Sequence, residues 1–222
     1  MWSHNYSDYL SRLSVEEQHS APKELFSEGD FNLLTTKIRI SIVGSRKVSE
    51  SGKKRTELIA KALVKRDIIV VSGLADGVDT IAHQTAINNG GKTIAVLGTP
   101  LDKCYPASNK SLLEKIKNDH LAISQFKEGQ RVYQSNFPAR NKTMALISDA
   151  TIIIEASEQS GTRHQAWEAI RLGRQVFLME NIVKDEDLTW PKELLSYGAI
   201  VLTRDNYESI LDEMEHYSFV QV

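Results

Sequence analysis

Apolar residues fall along this chain in short runs, separated by longer stretches where apolar positions recur every three or four residues. The runs near 38–43, 68–72, 93–97, 120–124, 150–154, 175–178 and 199–202 read as strands. The stretches near 50–66, 76–89, 109–117, 137–147, 162–172 and 205–215 read as helices. In the first helix Leu58, Ile59, Ala62 and Leu63 recur at helical spacing, with the lysines on the other face. Ser49 is placed to cap it, Gly52 weakens its first turn, and Gly90-Gly91 stops the second helix. Alternation of strand and helix predicts an α/β fold, a single Rossmann-like domain with a doubly wound, mostly parallel sheet. Residues 1–36 read as a partly helical lead-in, with one helix around Tyr6–Leu13, and residues 37–222 as the domain itself. Segment 126–136 lacks periodicity and is expected to be a loop, long enough to be functional.

Three strand-to-helix junctions break into small residues. They are Gly44-Ser45-Arg46, then Ser72-Gly73-Leu74-Ala75-Asp76-Gly77-Val78-Asp79, then Ser160-Gly161-Thr162-Arg163-His164. Junctions of this kind in one sheet gather backbone N–H groups and helix N-termini into a cleft that suits phosphates. The glycines lack the Gly-x-Gly-x-x-Gly spacing of a dinucleotide fold, and no Gly-x-x-x-x-Gly-Lys-Ser/Thr loop for nucleoside triphosphates is present. Arg46 lies at the mouth of the first strand, where its planar fork can meet an anion; a surface arginine capping a nearby loop is the other reading.

Length and composition fit one sizeable soluble domain: 222 residues, 41% hydrophobic and 25% charged, with a net charge of −2. That charge is not that of a DNA-coating protein. Its distribution is uneven, with Lys37, Arg39, Arg46, Lys47, Lys53, Lys54, Arg55, Lys61, Lys65 and Arg66 clustered ahead of an acidic C-terminal stretch. Such a patch binds polyanions or is simply a solvated helix face. One cysteine excludes an internal disulfide framework and a multi-cysteine metal site. With no signal-peptide pattern and no long apolar run, a cytoplasmic location is expected. Six scattered histidines show no metal-ligand spacing, and neither metal nor cofactor is expected.

From Ile40 to about Met179 the chain resembles the Rossmann-like domain of the DprA/Smf DNA-processing proteins. The matching pieces are Ile42-Val43-Gly44-Ser45-Arg46, the second junction with Ala82-His83, and Thr93 to Gly98 with Leu101-Asp102. Tyr105-Pro106-Ala107-Ser108-Asn109, Phe137-Pro138-Ala139-Arg140-Asn141, Glu155-Ala156, Ser160-Gly161 and Gly173-Arg174 complete the series. The resemblance implies a non-catalytic single-stranded DNA binder of DNA recombination and natural transformation, which helps load a RecA-type recombinase and forms a homodimer. It implies a groove of Arg46, Arg140, Asn141 and the loop residues around Phe137. Arg46 and Arg140 would clamp phosphates, with Gly44, Ser45, Ser72, Gly73, Ser160, Gly161, Thr162 and Arg163 at the junctions. Phe137 would stack a base, or alternatively anchor its helix in the core. Family members often carry a basic residue a few positions before this phenylalanine; here Arg131 is six positions away and Gln134 is nearer, which predicts weaker DNA affinity. Many members also have a helical domain before and a winged-helix-like domain after, so a pared-down relative is expected.

Two alternatives stay open. The third junction is similar to the Pro-Gly-Gly-x-Gly-Thr-x-x-Glu signature of LOG phosphoribohydrolases, which cleave nucleoside monophosphates, but the paired glycines are missing and Gln165 replaces the glutamate. An amide cannot take the carboxylate's part, although Glu168 lies one turn further along the same face. The other alternative is a nucleotide-ligand sensor, with a closed pocket over the same junctions. Among other residues, Asp76 is the N-cap candidate for the second helix, Asp79 a cap or loop-fixing acceptor, and His83 a packed or hydrogen-bonded helix residue. Ser45 and Ser72 lack a nucleophile elbow. Trp167 reads as a core or dimer contact, Cys104 as a loop thiol, and Tyr217–Val222 as a stretch that pairs with another chain or frays.

Overall fold

The computed structural model describes residues 4–217. Eight strands form one sheet: β1 (Phe26–Gly29), β2 (Arg39–Val43), β3 (Ile69–Ser72), β4 (Thr93–Leu97), β5 (Leu121–Ser124), β6 (Ala150–Ile153), β7 (Gln175–Met179) and β8 (Ile200–Leu202). Their order is β1-β5-β4-β3-β2-β6-β7-β8, and every pairing is parallel except β1 with β5. The chain therefore winds outward from β2 to β5, returns to place β6 on the other flank of β2, and winds outward again. That reversal makes β2 and β6 the switch point of the sheet, and open α/β sheets place ligands outside the carboxyl ends of such strands.

Alternate residues of each strand face opposite layers. Ile40, Ile42, Val70 and Ile152 pack under α3 (Glu50–Lys65), α4 (Val78–Asn88) and α10 (Tyr207–Tyr217), against Ile59, Leu63, Ala82 and Leu211. Val43, Val71, Val96 and Ile153 face α6 (Asn136–Ile147), α7 (Gly161–Arg171) and α9 (Trp190–Ser196), meeting Met144, Ala145, Ala166 and Leu194. A smaller cluster joins Ala95, Leu97 and Leu101 to Leu113 and Ile116 of α5 (Lys110–Asp119). Ser49 caps α3 as expected, its Oγ accepting the Gly52 N–H at 2.9 Å. Glu155 holds the same turn, accepting the Ser49 N–H at 3.0 Å and the Ser49 hydroxyl at 2.6 Å. A Cβ on Gly52 would stand 2.4 Å from that carboxylate, which explains a glycine in a first helical turn.

The first 36 residues do more than lead in. After α1 (His4–Ser11) and α2 (Val15–Ser20), β1 extends the sheet, and Phe31, Leu33 and Leu34 are buried in the core. Tyr6 and Tyr9 stack at 6.4 Å and join the same cluster. Arg39 ties the segment down, donating to Ile147 O at 2.7 Å, to Leu34 O, and to Asp149 at 3.0 Å. β1 is short, half polar and antiparallel, so it lacks the apolar run that marks the other strands. The short helix α8 (Glu180–Val183) and α9 also had no expectation from the sequence; the nearly sealed Trp190 anchors α9. From Ser218 onward the closing apolar stretch lies outside the described residues. No helix among the described residues is long and apolar enough to cross a membrane.

Candidate nucleic-acid interface

The first two junctions interlock through backbone at the switch point. The Ser45 N–H donates to Glu155 O at 2.8 Å, joining the ends of β2 and β6, and the Val78 N–H donates to Ser45 O at 3.2 Å. A Cβ on Gly44 would sit 2.7 Å from the Val78 side chain and 2.8 Å from Glu155 O. Gly77 occupies the N-cap position of α4 at φ 75°, where a Cβ would lie 2.3 Å from Ser45 O. This corrects the sequence reading of Asp76, which is exposed and makes no cap: the close approach of two turns requires a glycine there. Asp79 fixes the loop instead, accepting the Ala75 N–H at 3.3 Å.

The loop before α6 brings Phe137 across the end of β4. Its half-buried ring would be 2.6 Å from a Cβ on Gly98, so the missing side chain there is what lets the ring lie down. The exposed Arg46 holds its guanidinium 5.6 Å from the ring centroid, and Tyr105 packs beside it at 5.5 Å with a 53° tilt. Tyr105 is 56% exposed and Tyr133, under Arg131 at 5.7 Å, is 53% exposed. Phe137 is thus neither sealed in the core nor fully exposed: its ring is half-buried between Gly98 and Arg46.

Arg140, three residues along α6, is placed differently. It is 5% exposed and donates from Nη1 to Gly73 O and, at 3.0 Å, to Val96 O. A Cβ on Gly73 would stand 1.6 Å from Nη1, so that glycine makes the arginine's berth. Burial pulls the Arg140 pKa below the usual guanidinium value, with the nearby Asp79 charge opposing and Arg46 adding to the shift. Burial likewise raises the Asp79 carboxyl above its ordinary value, against the pull of Arg140.

An open cleft of about 500 Å³ lies over the switch point. It brings together Gly44, Ser45, Arg46, Arg140, Asn141, Ser160, Gly161 and Thr162, three segments far apart in sequence. Ser160 caps α7, accepting the Thr162 N–H at 3.2 Å, and Asn141 Nδ2 donates to Gly161 O at 3.3 Å. A small niche of about 30 Å³ adjoins it, bounded by Gly73, Gly98, Tyr105 and Phe137; Arg46, Ala75 and Arg140 line both. Ser72 and Arg163 line neither. The Ser72 hydroxyl is sealed in the sheet, donating to Ile42 O at 2.7 Å, and Arg163 turns toward Glu193 at 3.7 Å.

Several residues were not singled out from the sequence as site residues. Tyr105 and Gly98 frame Phe137, while Lys47, Asp79, Ser157 and Gln165 line the cleft. The one available signal was at Gln165, the amide standing at the glutamate position of the LOG signature. Glu168 does not line the cleft and pairs with Arg171 at 2.8 Å. His83 is sealed, hydrogen-bonded to Thr93 at 2.7 Å, and burial lowers its pKa to about 3. Cys104 is half-buried with its pKa raised by burial, and Trp167 packs on the core and against Tyr197 at 5.1 Å. Among the described residues no group of three or more metal-ligating side chains gathers.

The basic cluster divides in space. Arg66 is buried against α10, donating to Glu208 and, at 2.8 Å, to Asp212, so part of the acidic stretch neutralises part of the basic one. Lys37 pairs with Asp67 and Arg39 with Asp149. Arg46 and Lys47 stand at the cleft, while α3 carries Lys61 and Lys65 away from it at about 1.5 Å per residue.

A Rossmann-like sheet with interlocked glycine turns at its switch point and a cation–aromatic pair on the rim describes a nucleotide- or polynucleotide-binding class of protein. The family model for DNA recombination-mediator protein A matches residues 1–215, and the chain belongs to that family. DNA processing protein DprA of Streptococcus pneumoniae is 38% identical over 201 residues, covering 90% of this chain and 70% of the relative. Its crystal structure superimposes with a TM-score of 0.78 at 37% identity, over 90% of this chain and 68% of that one. Protein Smf of Synechocystis is 38% identical over 167 residues, which are 75% of this chain and 42% of the relative's length. DNA processing protein A from Helicobacter pylori, solved for its single-stranded DNA binding mode, matches with a TM-score of 0.77 at 29% identity, over 87% of this chain and 88% of that one.

Proposed function

We propose that this chain binds single-stranded DNA across the carboxyl edge of its sheet, as a recombination mediator. The observation that carries the reading is the rim assembly of Arg46, Phe137 and Tyr105, an exposed guanidinium beside an aromatic surface next to the switch-point cleft. Stacking on such a surface tolerates any base, and an adjacent cation follows the backbone. Family membership and the Helicobacter pylori relative support the same ligand. In this reading Arg46, Lys47 and the α7 N-terminus meet phosphates. Arg140 acts from below, through its charge and by holding the turn at Gly73, and Ser72 serves the turn rather than the ligand. A homodimer and a RecA-type recombinase partner complete the proposal, on the strength of family membership alone.

Fluorescence anisotropy with a labelled oligothymidylate at low and moderate salt tests it. Contact with about three phosphates gives a slope of log affinity against log salt near −2, at about −0.7 per phosphate for single strands. Binding that is absent, or insensitive to salt, sinks the proposal. The LOG-type reading loses support because Gln165, not a glutamate, lines the cleft and Glu168 is engaged elsewhere. The nucleotide-sensor reading called for a closed pocket over the junctions, whereas the cleft there is open.

A further inference from the structure

Strand binding along the rim gives no part to Gln165 in the cleft. Gln165 is fully buried on α7 and lines the cleft, yet among the described residues neither its Oε1 nor its Nε2 has a hydrogen-bond partner. Buried side-chain amides are almost always paired, and leaving both ends unmade is unfavourable. At a cavity wall, the missing partner is whatever enters the cavity.

Three further features define that occupant. The N-terminus of the 11-residue α7 opens into the same cleft at Gly161 and Thr162, and a helix start favours an anion. Arg46 and Lys47 add two cations at its mouth. Asp79 also lines the cleft and offers its carboxylate to a hydroxyl or N–H. Gln165 lies four residues into α7, about 6 Å along the axis from Gly161. That is the separation between a phosphate and the polar groups of the nucleoside it carries. A volume of about 500 Å³ is in the range of small-molecule sites and has room for one nucleotide.

We propose that the cleft is a mononucleotide site beside the aromatic rim, sharing Arg46 with it but not Phe137 or Tyr105. It takes a nucleotide phosphomonoester with its phosphate on the α7 N-terminus and its nucleoside hydrogen-bonded to Gln165 and Asp79. This chemistry has two sources, a free nucleoside monophosphate or the 5′-phosphorylated end of a strand. The site shares Arg46, Lys47 and the α7 N-terminus with the proposed strand path, but Phe137 and Tyr105 do not line it, so loss of the aromatic surface tests one reading without the other.

The test uses the full chain with adenosine 5′-monophosphate, inorganic phosphate, and oligothymidylate with and without a 5′-phosphate. Thermal shift and calorimetry are read for wild type, Gln165→Leu and Phe137→Ala. Adenosine monophosphate is expected to raise the Tm of wild type and Phe137→Ala, and to bind Gln165→Leu about tenfold or more weakly. Ligand-free Gln165→Leu is expected to be at least as stable as wild type, since leucine replaces an unpaired amide at similar volume; a retained Tm separates lost binding from lost folding. A 5′-phosphate that strengthens oligothymidylate binding in wild type but not in Gln165→Leu assigns the strand end as the source. Adenosine monophosphate binding without that advantage assigns the free nucleotide. A shift from inorganic phosphate equal to that from the nucleotide, and unchanged in Gln165→Leu, overturns the site and leaves a bare helix terminus. So does no response to nucleotide or 5′-phosphate, or loss of the nucleotide shift in folded Phe137→Ala. Loss of oligothymidylate binding with the nucleotide shift retained would sink the rim reading and leave this one standing.

Discussion

Arg46 on the rim and Arg140 on the floor lie at the same edge of the sheet, and the sequence offers both as phosphate clamps. In the fold one is exposed over an aromatic ring, while the other is buried with its fork turned onto two backbone carbonyls. On the rim, Arg46, Phe137 and Tyr105 pack on one another at the surface. On the floor, Gly73, Asp79 and Arg140 hold one another in place. A shared residue type thus divides by burial into an exposed group at the cleft mouth and a buried group engaged with the backbone.

The largest test of that division is Arg140→Ala. It leaves the Gly73 and Val96 carbonyls unpaired and strips Asp79 of its neighbouring charge, and is expected to cost about 2–5 kcal/mol of stability by urea unfolding. A loss below about 0.5 kcal/mol would place Arg140 with the rim. The floor also carries a pH signature through His83 on α4. Its imidazole stays neutral in the fold and gains a proton on unfolding, so between about pH 3 and 6.5 the unfolded chain binds more protons. Stability therefore rises with pH across that window and levels off above it, by about 1.4 kcal/mol for each unit separating the two pKa values. His83→Asn should flatten the profile, and an unchanged profile would refute the assignment. On the rim, Phe137→Ala is expected to weaken strand binding by about 1–3 kcal/mol of stacking, read by anisotropy. Arg46→Ala is the smallest change: stability within about 0.5 kcal/mol of wild type and a salt slope shallower by about 0.7. If Arg46→Ala unfolded the protein as readily as Arg140→Ala, the two regions would be one.

Much of this was legible beforehand. The seven apolar runs became β2 to β8 within a residue or two, and the Ser49 cap formed as its spacing suggested. The cleft gathered eight of the named site residues because strand–turn–helix junctions of a parallel sheet all open at one edge. Less visible was β1, whose Phe-Ser-Glu-Gly has no pattern of its own and pairs only because β5 presents an edge. Asp76 looked like a cap, but Gly77 took the position because the Ser45–Arg46 backbone runs too close for any side chain.

What the sequence determined by itself was periodicity and local chemistry: which stretches are strands, where the turns bend, and which residues carry charge. Those follow from neighbours a few positions apart. Tertiary structure alone decided that Arg39 and Arg66 face inward to acids 110 and 146 residues away, and that Ser72 closes on Ile42. It alone left Gln165 buried beside an open cleft with no partner among the described residues. Burial and pairing depend on what the rest of the chain brings to a site, and a side chain's own position in the sequence does not encode that.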